Sequence, residues 1–202
     1  VGATGSCGLT LWHPAPLFSE QDPDAWVDAA IAAVDSLAAT HPGETAQVRG
    51  IGLSGQMHGA TLLGADGRPL RPAILWNDGR SYAECAELER LCPSLHAIAG
   101  NIAMPGFTAP KLLWVARHEP DVFAGLAKVL LPKAYVRFRL TGEMVEDMSD
   151  AAGTLWLDVG RRCWSETVLE ATGLGLHHMP RLVEGNQPSA VLSAAFAQRW
   201  GM

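Results

Sequence analysis

Between residues 55 and 59 the chain reads Gly-Gln-Met-His-Gly: an amide, a thioether and an imidazole stand side by side, bracketed by glycines, directly after an apolar run. Gln56 and His58 can each donate and accept hydrogen bonds and Met57 offers apolar contact, a combination suited to a molecule carrying several hydroxyls. Three other stretches mix the same ingredients: "LWNDGR" (75–80), "MPGFTAPKLLW" (104–114) and "EDMSDAAGT" (146–154). In each, hydrogen-bonding side chains sit beside an aromatic or Met surface at a predicted strand end or loop, where a scaffold can aim them at a ligand.

Taken one at a time, these residues also have plainer readings. A lone His58 is more often a buried histidine satisfied by backbone, and a lone Trp76 more often core than platform. Asp78 can cap a helix beginning near Arg80, Asp150 can cap a turn, Phe107 can be a core aromatic, and Lys111 reads as a helix-surface residue. Phosphate-loop and dinucleotide signatures are absent: there is no G-x-x-x-x-G-K-[ST], and Gly173 and Gly175 complete no G-x-G-x-x-G. "GLSGQ" (52–56) falls one residue short of a nucleophile elbow, which needs Gly where Gln56 stands, so a serine hydrolase is a weak alternative.

The elements that must position these residues can be read from periodicity and punctuation. Asp22 as cap and Pro23 at the first helical position open a helix whose Trp26, Ala30, Ile31, Val34, Leu37 and Ala38 recur at helical spacing. In "QVRGIGLSG" the alternation of Val48, Ile51 and Leu53 predicts a strand, and "VGATGSCGLTL" at the start reads as strand-like. Asp66-Gly67 between two apolar arms predicts a hairpin, and "PAILWNDGRS" another strand. Helices are predicted over "RSYAECAELERL", "APKLLWVARHEP" and "KAYVRFRLTGE", the last stopped at Gly142, with "AKVLLP" as a strand. "CWSETVLEATG" offers Ser165 as cap, Trp164 and Leu169 as a hydrophobic staple and Gly173 as stop. Strands and helices so interspersed predict a mixed α/β layer architecture.

Composition bounds the partners. With 202 residues, 48% of them hydrophobic, the chain can bury a real core. A net charge of -6 and no long Lys/Arg run argue against nucleic acid and lipid headgroups. No apolar run approaches a membrane span and no signal segment opens the chain, which predicts a soluble, cytoplasmic protein. Cys7, Cys85, Cys92 and Cys163 show no C-x-x-C spacing and are expected as reduced core thiols; His177 and His178 are expected on different sides of their element, solvated rather than joint ligands. A homodimer is one assembly open to the chain, although the sequence does not set the oligomeric state.

Six ordered segments, "SEQDPDAW", "GLSGQMHGATLL", "RPAILWNDGRS", "MPGFTAPKLLWV", "DMSDAAGT" and "WLDV", together resemble the N-terminal lobe of the FGGY carbohydrate kinase family, in its xylulokinase branch. The resemblance runs nearly end to end and implies residues 1–202 to be a partial sugar-binding lobe. It implies an α/β, actin-like and ribonuclease H-like fold, a mixed sheet with flanking helices, in which ATP and sugar meet between two lobes. It also implies transfer of the γ-phosphoryl of Mg-ATP to the 5-hydroxyl of D-xylulose. Met57 and His58 fall on the family's sugar-contacting pair and Trp76 on its substrate-wall tryptophan. Gln56, Asp78, Phe107 and Asp150 lie in matching segments and complete the candidate substrate-binding set, and Gly55 and Gly59 would let the backbone approach the sugar. Glycerol kinases carry Gln-Arg-Glu where this chain has Gln56-Met57-His58, so a pentulose is the better substrate class than a triol.

The same resemblance implies what residues 1–202 do not hold. The family's Asp-Leu-Gly-Thr-type phosphate-binding hairpin would precede Val1, and its catalytic aspartate would follow Met202, so no catalytic residue and no metal ligand is nominated here. Two expectations stand: part of a kinase inactive by itself, or a non-catalytic sugar-binding or interaction module built on the same lobe. A kinase for another pentulose or polyol is the nearest variant of the first.

Overall fold

The computed structural model describes residues 2–202. Its first long element is α1 (Pro23–Thr40), preceded by the short strand β1 (Glu20–Gln21) and followed by the single turn α2 (Pro42–Thr45). The Asp22 carboxylate accepts the Asp24 N–H at 3.0 Å, satisfying one of the free donors of the first turn, and Pro23 occupies a position where a missing N–H costs nothing. Then come β2 (Thr61–Leu63), β3 (Ala73–Ile74), α3 (Tyr82–Leu91), α4 (Leu95–Ala99), α5 (Thr108–His118), α6 (Pro120–Ala124), β4 (Lys128–Leu130) and α7 (Pro132–Thr141). The chain continues through β5 (Val145–Asp147), α8 (Met148–Ala152), β6 (Leu157–Asp158), β7 (Cys163–Trp164), α9 (Glu166–Ala171), a 3-10 turn (Leu176–His178), β8 (Arg181–Val183) and α10 (Ala194–Trp200).

The strands pair in twos. β1 with β3, β2 with β4 and β6 with β7 are antiparallel, whereas β5 with β8 is parallel. Single bridges, Trp12 to Glu20 and Ala60 to Ile74, join the first two pairs into one antiparallel ribbon in the order Trp12, β1, β3, β2, β4. Two residues beyond the Ala60–Ile74 bridge its two chains carry His58 and Trp76, so the ribbon's register brings two of the candidate segments together. One side of the ribbon buries Ala60, Leu62 and Ile74 with Leu112, Val115 and Trp156; the other buries Leu63, Ala73 and Leu75 with Trp26, Val27 and Tyr135. Alternation along β2 divides the core in this way, because successive side chains point to opposite faces.

Local signals mark most boundaries correctly. Gly142, at φ +85, ends α7, and Ser165 caps α9 by accepting the Val168 N–H. The Asp66-Gly67 turn forms with Gly67 at φ +75, and Leu70 N–H returns to the Leu62 carbonyl. Its second arm makes only a single bridge at Pro69, since proline has no N–H for a ladder.

Elsewhere the structure corrects the sequence. Residues 48–55 form no strand despite their alternation; they run exposed or half-exposed, and among the described residues no neighbour pairs with them. A strand exists only through its ladder, and apolar alternation records a preference for one. Beyond Trp12's single bridge, residues 2–11 are likewise exposed and form no strand, and Val1 lies outside the described residues. All four cysteines are free, yet only Cys85 and Cys92 are core thiols; Cys7 and Cys163 are exposed. His177 and His178 do not diverge: the tight 3-10 turn sets their rings 3.8 Å apart, and His178 Nδ1 accepts the Gly175 N–H. Among the described residues no helix is long and apolar enough to cross a membrane.

Asp22→Ala is expected to cost about 1 kcal/mol, the usual worth of an N-cap side chain. Urea unfolding followed by circular dichroism checks it, and a loss below about 0.3 kcal/mol would mean that the cap is replaced by water or by Pro23 preorganisation.

Candidate functional site

His58 is the central residue of a three-residue turn in which Gly59 N–H donates to the Met57 carbonyl at 2.8 Å. Its φ is +63, a conformation that a non-glycine residue holds only where the surroundings enforce it. They do so from two directions. The Thr108 hydroxyl (3.1 Å) and the Lys111 ammonium (2.9 Å) both donate to the His58 carbonyl. The imidazole edge meets the Phe107 ring, centroid to centroid 4.7 Å and nearly perpendicular.

The tautomer follows from the partner. His58 Nδ1 lies 2.8 Å from the Gly153 carbonyl, which can only accept, so Nδ1 carries the proton. Burial, aided by the Lys111 cation and opposed by the Gly153 hydrogen bond and Asp150, lowers the His58 pKa below its ordinary 6.5. The ring is therefore neutral at pH 7. Among the described residues its Nε2 makes no hydrogen bond, which leaves a lone pair able to accept from a hydroxyl.

The other predicted residues fall into two groups. Met57 and Trp76 are 46% and 51% exposed, so Trp76 is a surface aromatic and not a core one. Phe107 is buried at the start of α5, where it serves as a wall behind His58. Gln56 Nε2 donates to Gln21 Oε1 (3.1 Å), which also takes the Trp26 indole N–H, so this amide is tied to α1's entry.

Asp78 is turned inward. Only 2% exposed, its carboxylate takes the Ser19 N–H at 2.6 Å, the Arg80 N–H at 3.0 Å and two Arg80 guanidinium N–H groups at 2.9 and 2.7 Å. It therefore fixes the "LWNDGR" loop, and the cap position of α3 belongs to Ser81. Asp150 is not a cap either: Asp147 caps α8 by accepting the Asp150 N–H, and the Asp150 carboxylate lies 3.0 Å from Lys133 Nζ. Gly59 has a packing reason too, since a side chain there would start 2.6 Å from the Pro132 ring, whereas one at Gly55 would make only ordinary contact with Lys133 at 3.5 Å.

Two features went unread in the sequence. Lys133 is a buried cation shared by Glu146 (3.2 Å), Asp147 and Asp150. Burial would lower Lys133, yet these three carboxylates hold it above its usual value, while burial outweighs Lys133's pull on Glu146 and raises that carboxyl to about 7. Lys111, expected on a helix surface, is fully buried, donating to the Gly106 carbonyl (2.8 Å) as well as to His58. The available signal was its place on the stripe Thr108, Lys111, Leu112, Val115 of α5, the face that faces the core.

The family model for the N-terminal domain of FGGY carbohydrate kinases matches residues 1–202. The chain belongs to the FGGY family of carbohydrate kinases. As an FGGY lobe it is 54% identical to the xylulose kinase of Escherichia coli strain K12 over 194 residues, which cover 96% of this chain and 40% of that protein. It matches a crystal structure described as a xyloylose kinase from Brucella ovis with TM-score 0.97 and 56% identity, over 100% of this chain and 41% of that one. The xylulose kinase structure from Rhodospirillum rubrum follows at TM-score 0.89 and 29% identity, covering 96% of this chain and 40% of that one. These relatives place the fold as the actin-like, ribonuclease H-like lobe of the sugar kinases, and the chain spans about two fifths of their length.

Within the FGGY lobe, Gly153 is where a methyl group would strike the site: a Cβ there would lie 2.4 Å from His58 Nδ1 and 2.5 Å from Cε1. Because Gly153 has φ and ψ in the right-handed helical region, Ala fits its backbone, and the severe collision falls on the imidazole, with a closer-than-usual approach to the Asp150 carbonyl at 3.3 Å beside it. Ordinary carbon contacts being about 3.5 Å, Gly153→Ala is expected to shift the imidazole by about 1 Å off Phe107 with the fold intact. A crystal structure of the variant with His58 unmoved would show that α8 yields instead.

Proposed function

We propose that this chain is the sugar-binding lobe of an ATP-dependent kinase that phosphorylates the 5-hydroxyl of D-xylulose to give D-xylulose 5-phosphate. The observation that carries the reading is His58: neutral, fixed at both backbone and ring, with Nε2 left to accept a hydroxyl proton. Met57 and Trp76 supply exposed apolar surface beside it for the carbon face of a sugar. The names of the relatives add support for the substrate, since proteins 54% and 53% identical to this chain are xylulose kinases. Phosphoryl transfer depends mainly on positioning and charge stabilisation, and this lobe's share is the positioning of the acceptor.

Mg-ATP would supply the phosphoryl group. Among the described residues no cluster of His, Cys, Asp or Glu is arranged to hold a metal ion. Glu146, Asp147 and Asp150 are all engaged with Lys133 and Asp78 with Arg80, so no magnesium ligand and no general base is assigned to these residues.

His58→Ala, in the full-length protein, is expected to lower kcat/KM for D-xylulose by about 1 to 3 kcal/mol in transition-state terms while ATP use changes little. The pH dependence has a fixed sign. Protonation turns Nε2 from acceptor to donor, so sugar use is retained above the lowered His58 pKa and lost as pH falls through it, below 6.5. Steady-state kinetics on both substrates across pH 5 to 8 is the check, and unchanged xylulose kinetics in the variant would return His58 to a structural role.

By itself, the 202-residue chain is expected neither to phosphorylate xylulose nor to hydrolyse ATP, since it spans 40% of its relatives and the carboxylates of its candidate segments, Asp78, Glu146, Asp147 and Asp150, are engaged with Arg80 and Lys133. A coupled ADP-release assay with and without xylulose tests this. Turnover above background in highly purified chain would show catalytic machinery among these residues.

A further inference from the structure

We propose that Lys111 is a positioning residue of the candidate sugar site, holding His58 in its left-handed turn and locking that turn to the Gly106–Phe107 corner. The inference rests on the reading of His58 as a sugar contact. Lys111 arises from the buried face of α5, is 0% exposed, and donates to the carbonyls of His58 (2.9 Å) and Gly106 (2.8 Å). The first carbonyl belongs to the residue whose imidazole would face the ligand; the second precedes Phe107, the ring on which that imidazole rests. One ammonium therefore ties together the backbone of His58 and the support of its side chain. Thr108, one turn earlier on the same face, adds a second donor to the same carbonyl.

Filling space does not explain a lysine here. Among the described residues Lys111 forms no salt bridge, and a buried cation without one is costly where Leu or Met would pack freely. The charges that bear on it are Asp78 and Arg80, which are already paired with each other, and burial with Arg80 brings its pKa down to about 7. What the amine provides, and an apolar side chain cannot, is more than one donor reaching two carbonyls from separate segments. The turn it holds needs such support, since a positive φ at the centre of a three-residue turn is a strained arrangement. A small misplacement of a contacting group is enough to change rates by large factors.

The experiment compares Lys111→Met, Lys111→Arg, Thr108→Val and His58→Ala in the full-length protein, reading kcat and KM for D-xylulose and for ATP. His58 imidazole titration by NMR is followed in parallel. Lys111→Met is expected to raise the xylulose KM about tenfold or more with the ATP KM within about twofold, and Thr108→Val to act in the same direction more weakly. Lys111→Arg, which retains donors, should restore part of the loss. Two charges bear on His58, Lys111 and Asp150, so removing the cation in Lys111→Met should raise the imidazole pKa while Lys111→Arg, which keeps the charge, should not; loosened packing, by relieving the burial, would raise it in both. If Lys111→Met fails to fold, Thr108→Val and Lys111→Arg decide on the same kinetic split. Xylulose and ATP parameters that change together, or not at all, in the folded Lys111 and Thr108 variants overturn the proposal. If His58→Ala itself leaves xylulose use untouched, the reading of the site fails; if it acts and the Lys111 and Thr108 variants do not, only the positioning role fails.

Discussion

The carbonyl oxygen of His58 is the point on which the site converges. A carbonyl has two lone pairs, and here both are taken, by the Thr108 hydroxyl and the Lys111 ammonium from adjacent turns of one helix. Because α5 also carries Phe107 at its entry, the same helix fixes the direction of the main chain and the plane of the imidazole. Gly153, from the start of the opposite loop, takes the Nδ1 proton. Two separate segments, α5 with its entry and the end of α8, thus determine where one nitrogen lone pair points. This is the kind of over-determination that keeps an unfavourable φ in place.

Around this point the charged groups are organised so that few remain free. Arg80 lies between Asp78 and Glu20, at 2.7 Å from each, with its guanidinium 3.7 Å above the Phe18 ring. Arg71 continues the chain from Glu20 to Glu119, linking the strand ribbon to the α5–α6 corner. Planar guanidinium groups suit such bridging because they offer several donors in a fixed fork and stack on aromatic faces. The loop that presents Trp76 is thereby held from beneath, while its indole remains half exposed. On the other flank Lys133 gathers three carboxylates. That grouping ties β5 and α8 to α7 and keeps Asp150 from facing His58 as an independent acid.

How much of this the sequence disclosed depends on the range of the interaction. The α1 cap at Asp22-Pro23, the stop at Gly142, the Asp66-Gly67 turn and the Ser165 cap were all legible, because each is decided within a few residues by backbone sterics and unpaired N–H groups. Residues 48–55 were misread for the opposite reason: their alternation is strand-like, but a ladder requires a partner that no local pattern can certify. The cluster "GQMHG" was singled out by residue type, and the structure shows it as a tight turn centred on His58. What could not be read was that Asp78 would spend its lone pairs on Arg80 and Ser19, fifty-nine residues away in the second case, instead of on a ligand. Lys111 was misjudged because a lysine's ordinary place is solvent; only its position on the apolar stripe of α5 hinted otherwise.

The division between fixed and exposed groups bears on what such a lobe can select. His58 offers one acceptor whose direction is set, and Met57 and Trp76 offer apolar area whose side chains are half free. A directional hydrogen bond distinguishes a ligand with a hydroxyl in reach from one without it, since the mismatch leaves a desolvated lone pair unpaired. Apolar contact distinguishes far less, a carbon more or less changing affinity only modestly. In the proposed reading, discrimination by these residues therefore comes mainly through the polar geometry at His58, with the aromatic and thioether surface contributing affinity. The burial of Lys111, which looks uneconomical as packing, falls on the side of this division where direction matters.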